Sequence, residues 1–330
     1  MSFKVCIVGA GAIGGWFGAY LGHKLGAEVQ LSALARGATL AALRAQGLRL
    51  DTPTGESLSV PLMASDSTQA LGPQDLVVVA VKGPALAAVA PAVRALMGPE
   101  TRVLVAMNGV PWWFFRGLGG PLEGQALETV DPGGLIAAQI PAERVIGSVV
   151  HASCATPEPG RVRHVMGMGL ILGDPAGGRP AHVEQLAALL QRAGFNATVS
   201  ERIQRDIWFK LWGNMTMNPI SALTGATADR ILDDELVRGF VTNVMREAAE
   251  IGARIGCGVD QTPEQRHEVT RKLGAFKTSM LQDTEAGRPL ELDALVAVVR
   301  EIAQKLGLAT PHTDAMLGLT RLMARTRGLY

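Results

Sequence analysis

Lys210, Asn214 and Asn218 recur at intervals of four within residues 206–219. At about 100° per residue, each step of four drifts only about 40°, so all three side chains share one side of a helix. Apolar residues crowd them: Trp208, Phe209, Leu211, Trp212, Met215 and Met217. A helix that is apolar nearly all round is buried, and polar groups on a buried helix need partners. A polar network joining two domains would meet that need. So would a bound substrate, for a lysine desolvated in a pocket has its pKa drawn toward the working range and can serve as general acid. The two amides could then fix a carbonyl or hydroxyl group.

A second constellation stands near the start. Gly9-Ala10-Gly11-Ala12-Ile13-Gly14 follows the apolar run 5–8 and opens a helical segment. That strand–turn–helix context lifts the G-x-G-x-x-G pattern above chance. Gly9 permits the tight turn, Gly11 the approach of a pyrophosphate, and Gly14 close packing of helix on strand. The helix start adds free N–H donors and partial positive charge for phosphates. A glycine-rich turn without a ligand is the plain alternative. The second expected strand, 28–34, leads to Arg36, and the only nearby acid, Glu28, falls at its beginning. An acid at the strand's end would hold the ribose 2′-hydroxyl of NAD. An arginine suits a 2′-phosphate and favours NADP (NADPH), unless Arg36 is only a solvated surface residue.

These groups must be positioned by elements of two kinds. Up to about residue 150, β-branched runs (5–8, 28–34, 76–81, 103–106) alternate with alanine-rich helical segments (13–25, 40–46, 85–97), the pattern of a parallel sheet covered by helices. Runs at 145–150, 161–165 and 170–172 extend that sheet, antiparallel strands among them being one form. Beyond about residue 200 the chain reads as helices at 202–223, 233–255, 263–283 and 289–306. In the last, Leu292, Leu295, Val296, Val299, Ile302 and Leu306 form a core-facing stripe. The expectation is an α/β, Rossmann-type dinucleotide-binding domain at 1–200 followed by an all-α domain at 201–330 carrying substrate and catalytic groups.

The bulk composition narrows the classes. With 330 residues, 48% hydrophobic and 18% charged, the chain can bury two cores and holds no long disordered tract. A net charge of +1 removes the electrostatic argument for nucleic acid or an anionic membrane as partner. Cys6, Cys154 and Cys257 lie far apart without metal-ligand spacing, so no metal is expected, and they read as small buried hydrophobes of a reduced compartment. No apolar stretch reaches membrane-helix length, and the glycines from 9 to 18 spoil any signal-peptide reading of the start, which leaves a cytoplasmic protein. His151 and His164 read as structural, His267 as part of a solvated helix face. Asp233 and Asp234 read as helix-start capping and dipole complement.

With these residues assembled, the chain resembles the ketopantoate reductase family over essentially its whole length. The resemblance rests on 8–14, Arg36, Val79-Ala80-Val81-Lys82, Asn108-Gly109, Lys210-x-x-x-Asn214-x-x-x-Asn218-Pro219, Ser279-Met280-Leu281-Gln282-Asp283 and Glu291. It implies an NADPH-dependent reduction of a 2-oxo acid to a 2-hydroxy acid, 2-dehydropantoate (ketopantoate) to pantoate, in pantothenate biosynthesis. It also implies that Lys210 protonates the carbonyl oxygen and that Glu291 orients that lysine. Asn214, Asn218 and Ser279 would bind substrate, while Lys82 and Asn108 would line the cofactor side, Asn108 also setting geometry.

Two departures bear on the substrate. Val296-Ala297 stands where the family commonly has Asn-Gly, and Trp112-Trp113-Phe114-Phe115 begins an unusually long segment through Gly134. Those aromatics are either packing under a loop or the wall of a bulkier pocket. Alternatives are a same-family reductase of a bulkier ketone or 2-oxo acid, a β-hydroxyacid dehydrogenase, and a non-catalytic NADP-binding sensor. The apolar helices leave a homodimer open.

Overall fold

The β-branched runs become the middle of one sheet in the computed structural model, which describes residues 2–330. Two units divide the chain: Met1–Met107 with Gly134–Ile203, and Asn108–Gly133 with Gln204–Tyr330. In chain order the first contains β1 (Phe3–Val8), α1 (Ala12–Leu25), β2 (Val29–Leu34), α2 (Gly37–Gln46), β3 (Leu48–Asp51), β4 (Ser57–Val60), β5 (Met63–Ser65) and α3 (Thr68–Leu71). β6 (Gln74–Val79), α4 (Leu86–Ala95), β7 (Met97–Val105), α5 (Leu135–Gln139), β8 (Val145–Glu158), β9 (Arg161–Gly173), α6 (Ala181–Arg192) and β10 (Asn196–Val199) follow.

The strands order as β4-β3-β9-β8-β7-β6-β1-β2-β5, with β10 on β9. From β5 to β8 every pairing is parallel. Numbered along the chain, those six strands run 3-2-1-4-5-6, the doubly wound dinucleotide-binding order. The extension is antiparallel at β8–β9, and the β3–β4 hairpin, joined to β9 through β3, closes that side of the sheet. Val5, Ile7, Leu76 and Val78 pack with Trp16, Phe17 and Leu21 of α1 in one core. Burial pushes the thiol of Cys6 up to about 11 and that of half-buried Cys154 to about 12, so both stay protonated at neutral pH.

The second unit is helical: α7 (Ile203–Thr224), α8 (Ala228–Asp233), α9 (Glu235–Arg254), α10 (Pro263–Arg271), α11 (Ser279–Glu285), α12 (Val298–Lys305) and α13 (Pro311–Thr326). A π-helical turn, Asp293–Ala297, leads into α12. The stripe expected there is buried from Leu292 to Ile302, while Leu306 is half-buried.

Several expectations change. The single helix expected over 263–283 is broken between α10 and α11, where Gly274 takes φ +62° and Thr278 caps the new helix start. The short strands β3 to β5 and the helices α6 and α13 are additions. Residues 108–133, read as part of the 1–200 stretch, group with the helical unit. Their four aromatics, Trp112 to Phe115, are buried, and the Phe114 ring lies 6.0 Å from that of Trp208 on α7. The Glu301 carboxylate also accepts the N–H groups of Glu128 and Thr129.

His267 is buried, not solvated; its Nε2 has no partner among the described residues, and desolvation lowers its pKa. His164 is satisfied between the Tyr20 hydroxyl and the Gly167 carbonyl. Asp234 caps α9 by accepting from the N–H groups of Leu236 and Val237, while Asp233 pairs with Arg271. Among the described residues no helix is long and apolar enough to cross a membrane, and no cluster of metal-ligating side chains occurs.

Candidate active site

In the first unit two of the three fingerprint glycines are required by packing. Gly9 has φ +95°, and a Cβ there would lie 2.8 Å from Val81 Cγ1 and 2.9 Å from the Ala80 carbonyl group. A Cβ on Gly14 would meet the Gly9 carbonyl oxygen at 2.2 Å. A Cβ on Gly11 would meet nothing within 4 Å. Two glycines thus serve packing, and the third faces open space where a ligand can approach the backbone. Gly11 is also the N-cap of α1 and offers no side chain to the N–H groups of Ala12, Ile13 and Gly14, which the helix itself cannot satisfy.

β1 has β2 on one side and β6 on the other, so the turn after Val8 sits at the point where the winding direction reverses. Exposed Arg36 follows β2, and half-buried Lys82 follows β6. The predicted Gly9–Gly14, Arg36 and Lys82 therefore stand at the carboxyl ends of three adjacent strands. That donor set fits a dinucleotide: backbone N–H groups for a pyrophosphate, with cations on either side.

In the second unit, α7 carries the lysine and both asparagines. Trp208, Leu211, Trp212 and Met215 are buried along it, and the two indole N–H groups donate to the Ala248 and Met245 carbonyls of α9. This anchoring leaves the Lys210 side of the helix for polar partners. The Lys210 ammonium donates to Asn108 Oδ1 at 2.9 Å. Desolvation pulls its pKa down from the ordinary lysine value to about 8, and the negative charge of Glu291 opposes the fall. One turn on, the side chain of half-buried Asn214 makes no hydrogen bond to another described residue. Another turn on, Asn218 Nδ2 donates to Ser279 Oγ at 3.5 Å, a long contact. An ammonium with a pKa near neutrality, flanked by amides and a hydroxyl, can donate a proton to a bound carbonyl oxygen.

Asn108, expected to line the cofactor side and help set the geometry, groups with the helical unit and bonds Lys210. Its placement depends on Gly109, which has φ +86° and packs so tightly that a Cβ would lie 2.3 Å from the Ala294 carbonyl oxygen. Val110 N–H donates to that same oxygen at 2.9 Å. Ala294 lies in the π turn, which no periodicity in the sequence announces. Arg266 is likewise absent from the sequence reading: its guanidinium lies 5.3 Å from the centroid of the Phe209 ring and fills the room left by Gly213.

Residues 5–113 match the family model described as ketopantoate reductase PanE/ApbA, and residues 202–324 match its C-terminal counterpart. A 2-dehydropantoate 2-reductase of Mesorhizobium japonicum is 45% identical over 327 residues, 99% of each chain. A crystal structure from Ralstonia solanacearum MolK2 superposes with a TM-score of 0.95 at 57% identity, covering 100% of both chains. The 2-dehydropantoate 2-reductase of Geobacter metallireducens GS-15 follows at TM-score 0.84 and 27% identity, over 97% of this chain and 100% of that one. Fold and relatives together define an oxidoreductase that acts on CH–OH groups with a nicotinamide dinucleotide. The chain belongs to the ketopantoate reductase family.

Proposed function

We propose that the protein reduces a 2-oxo acid to a 2-hydroxy acid with NADPH, its substrate being 2-dehydropantoate, as in the names of its relatives. The observation that carries this reading is the Lys210 ammonium, held on Asn108 Oδ1 and brought to a pKa of about 8 beside Glu291. At neutral pH such a lysine is still about nine-tenths protonated, yet a far stronger acid than a solvated one. A non-catalytic sensor has no use for that device.

In this reading the first unit holds the dinucleotide. The N–H groups of Ala12, Ile13 and Gly14 face the pyrophosphate, Gly9 and Gly11 admit it, and Arg36 pairs with the 2′-phosphate. Lys82 adds a cation on the β6 side. When bound, the reduced nicotinamide supplies the hydride. The second unit does the rest. Lys210 Nζ gives its proton to the carbonyl oxygen as negative charge develops there. Glu291 keeps that lysine charged until the moment of transfer. Asn108 fixes the direction of the ammonium, and Asn214, Asn218 and Ser279 hold the substrate's polar groups.

A different 2-oxo acid is favoured by one observation. Val296, where the family commonly has Asn, is fully buried and apolar and contributes no polar contact. Steady-state oxidation of NADPH against ketopantoate and a panel of bulkier 2-oxo acids separates the two. Efficient turnover of ketopantoate supports the first reading. Turnover confined to a bulkier acid keeps the chemistry and replaces the substrate, whereas NADPH binding without reduction of any carbonyl compound refutes both.

A further inference from the structure

We propose that Tyr330 is a positioning residue for Glu291, holding through its hydroxyl on Asp293 the short segment that carries this carboxylate. The inference rests on the reading of Lys210 as proton donor and Glu291 as its partner.

The segment around Glu291 is fastened from two sides. Leu290 N–H donates to the Leu329 carbonyl at 2.9 Å, and the Tyr330 hydroxyl donates to Asp293 Oδ1 at 2.5 Å. These contacts bracket Glu291, one residue before it and two after. On the far side, the Ala294 carbonyl accepts from Val110 N–H, two residues beyond Asn108. Residues 290–294 therefore link Glu291 and Asn108, both of which act on the Lys210 ammonium.

Such fastening has a physical purpose. Glu291 lies two residues before a π turn, and π turns are rare and concentrated at functional sites. A carboxylate on an unsupported turn would wander, and displacement of about 1 Å at a reacting group can cost up to about 100-fold in rate. The bond from Tyr330 suits the task because a phenol donating to a carboxylate is charge-assisted. Burial and the Asp293 charge push the phenol pKa up to about 12, so the donor persists across the working range. The Arg325 guanidinium, 5.4 Å from the centroid of the Tyr330 ring, steadies the ring.

Tyr330→Phe removes the hydroxyl alone, and Asp293→Ala removes its acceptor. In the full-length protein each variant is measured for melting temperature, for kcat and KM in NADPH-dependent reduction, and for the ionisation midpoint of Lys210. That midpoint comes from competitive acetylation with acetic anhydride across pH and requires no turnover. The charge of Glu291 raises the pKa of Lys210, so its release lowers the midpoint. The expected result is a midpoint lower by about half a pH unit and a kcat lower by about threefold to tenfold. KM for NADPH is unchanged, and the double variant is no worse than either single one. Additive losses, or a Lys210 midpoint and kcat equal to the parent's in a folded variant, overturn the proposal. A parent protein that reduces no 2-oxo acid defeats the functional reading instead, and the Lys210 midpoint still decides the role of Tyr330.

Discussion

The Lys210 ammonium and the Asn108 amide oxygen, 102 positions apart in the chain, meet at 2.9 Å within the helical unit. This bond gives the lysine a direction, while desolvation lowers its pKa. Replacement of Lys210 by Ala is expected to reduce kcat by roughly 10²–10⁴, the usual worth of a general acid. Dinucleotide affinity, measured by fluorescence titration with NADPH, should be retained because its proposed determinants lie in the first unit. Undiminished turnover would remove Lys210 from the mechanism.

The pH dependence follows from the same residue. In the proposed mechanism reduction requires the protonated ammonium, whose pKa stands at about 8. The rate of reduction should be level below that value and fall about tenfold per pH unit above it, whereas the reverse oxidation, needing the neutral amine, should rise through the same pH. Because the charge of Glu291 raises that pKa, Glu291→Gln should move both limbs to lower pH. A limb that stays in place in this variant would detach Glu291 from Lys210.

The proposed selectivity for NADPH rests on Arg36, exposed just after β2. Arg36→Ala should weaken NADPH far more than NADH, by about 1–3 kcal/mol for a lost charge-assisted contact to the 2′-phosphate. Dissociation constants for both cofactors test it. Equal losses would mean that the arginine does not read the phosphate.

Gly109→Ala should damage both stability and turnover. The positive φ alone costs a non-glycine residue about 1 kcal/mol or more. The new Cβ, 2.3 Å from the Ala294 carbonyl oxygen, forces the backbone apart. A lower melting temperature and a kcat reduced about tenfold or more are expected, since Asn108 must move with its neighbour. A variant as stable and active as the parent would show that the 108–110 turn tolerates displacement.

Much of the fold and of the site is legible in the chain because it is local. The turn at Gly9–Gly14 needs only a strand before it, a helix after it and glycines where a side chain would collide. The common face of Lys210, Asn214 and Asn218 follows from the helical period alone. The stripe from Leu292 to Ile302 likewise declares its buried side. Family resemblance then supplied Glu291, Ser279, Lys82 and Asn108, whose parts no spacing reveals.

Tertiary structure decided the rest. Which partner Lys210 meets depends on a turn about a hundred residues upstream, and that turn depends on the carbonyl of Ala294 in a π turn without a sequence signature. Residues 108–133 leave the sheet unit because their aromatic side chains find α7 instead, a choice set by available apolar surface and not by any period. His267 lies among charged neighbours in sequence, yet it is buried. Hydrophobic periodicity reports which face of an element is covered, but the identity of the covering group is settled only when distant elements compete to pack.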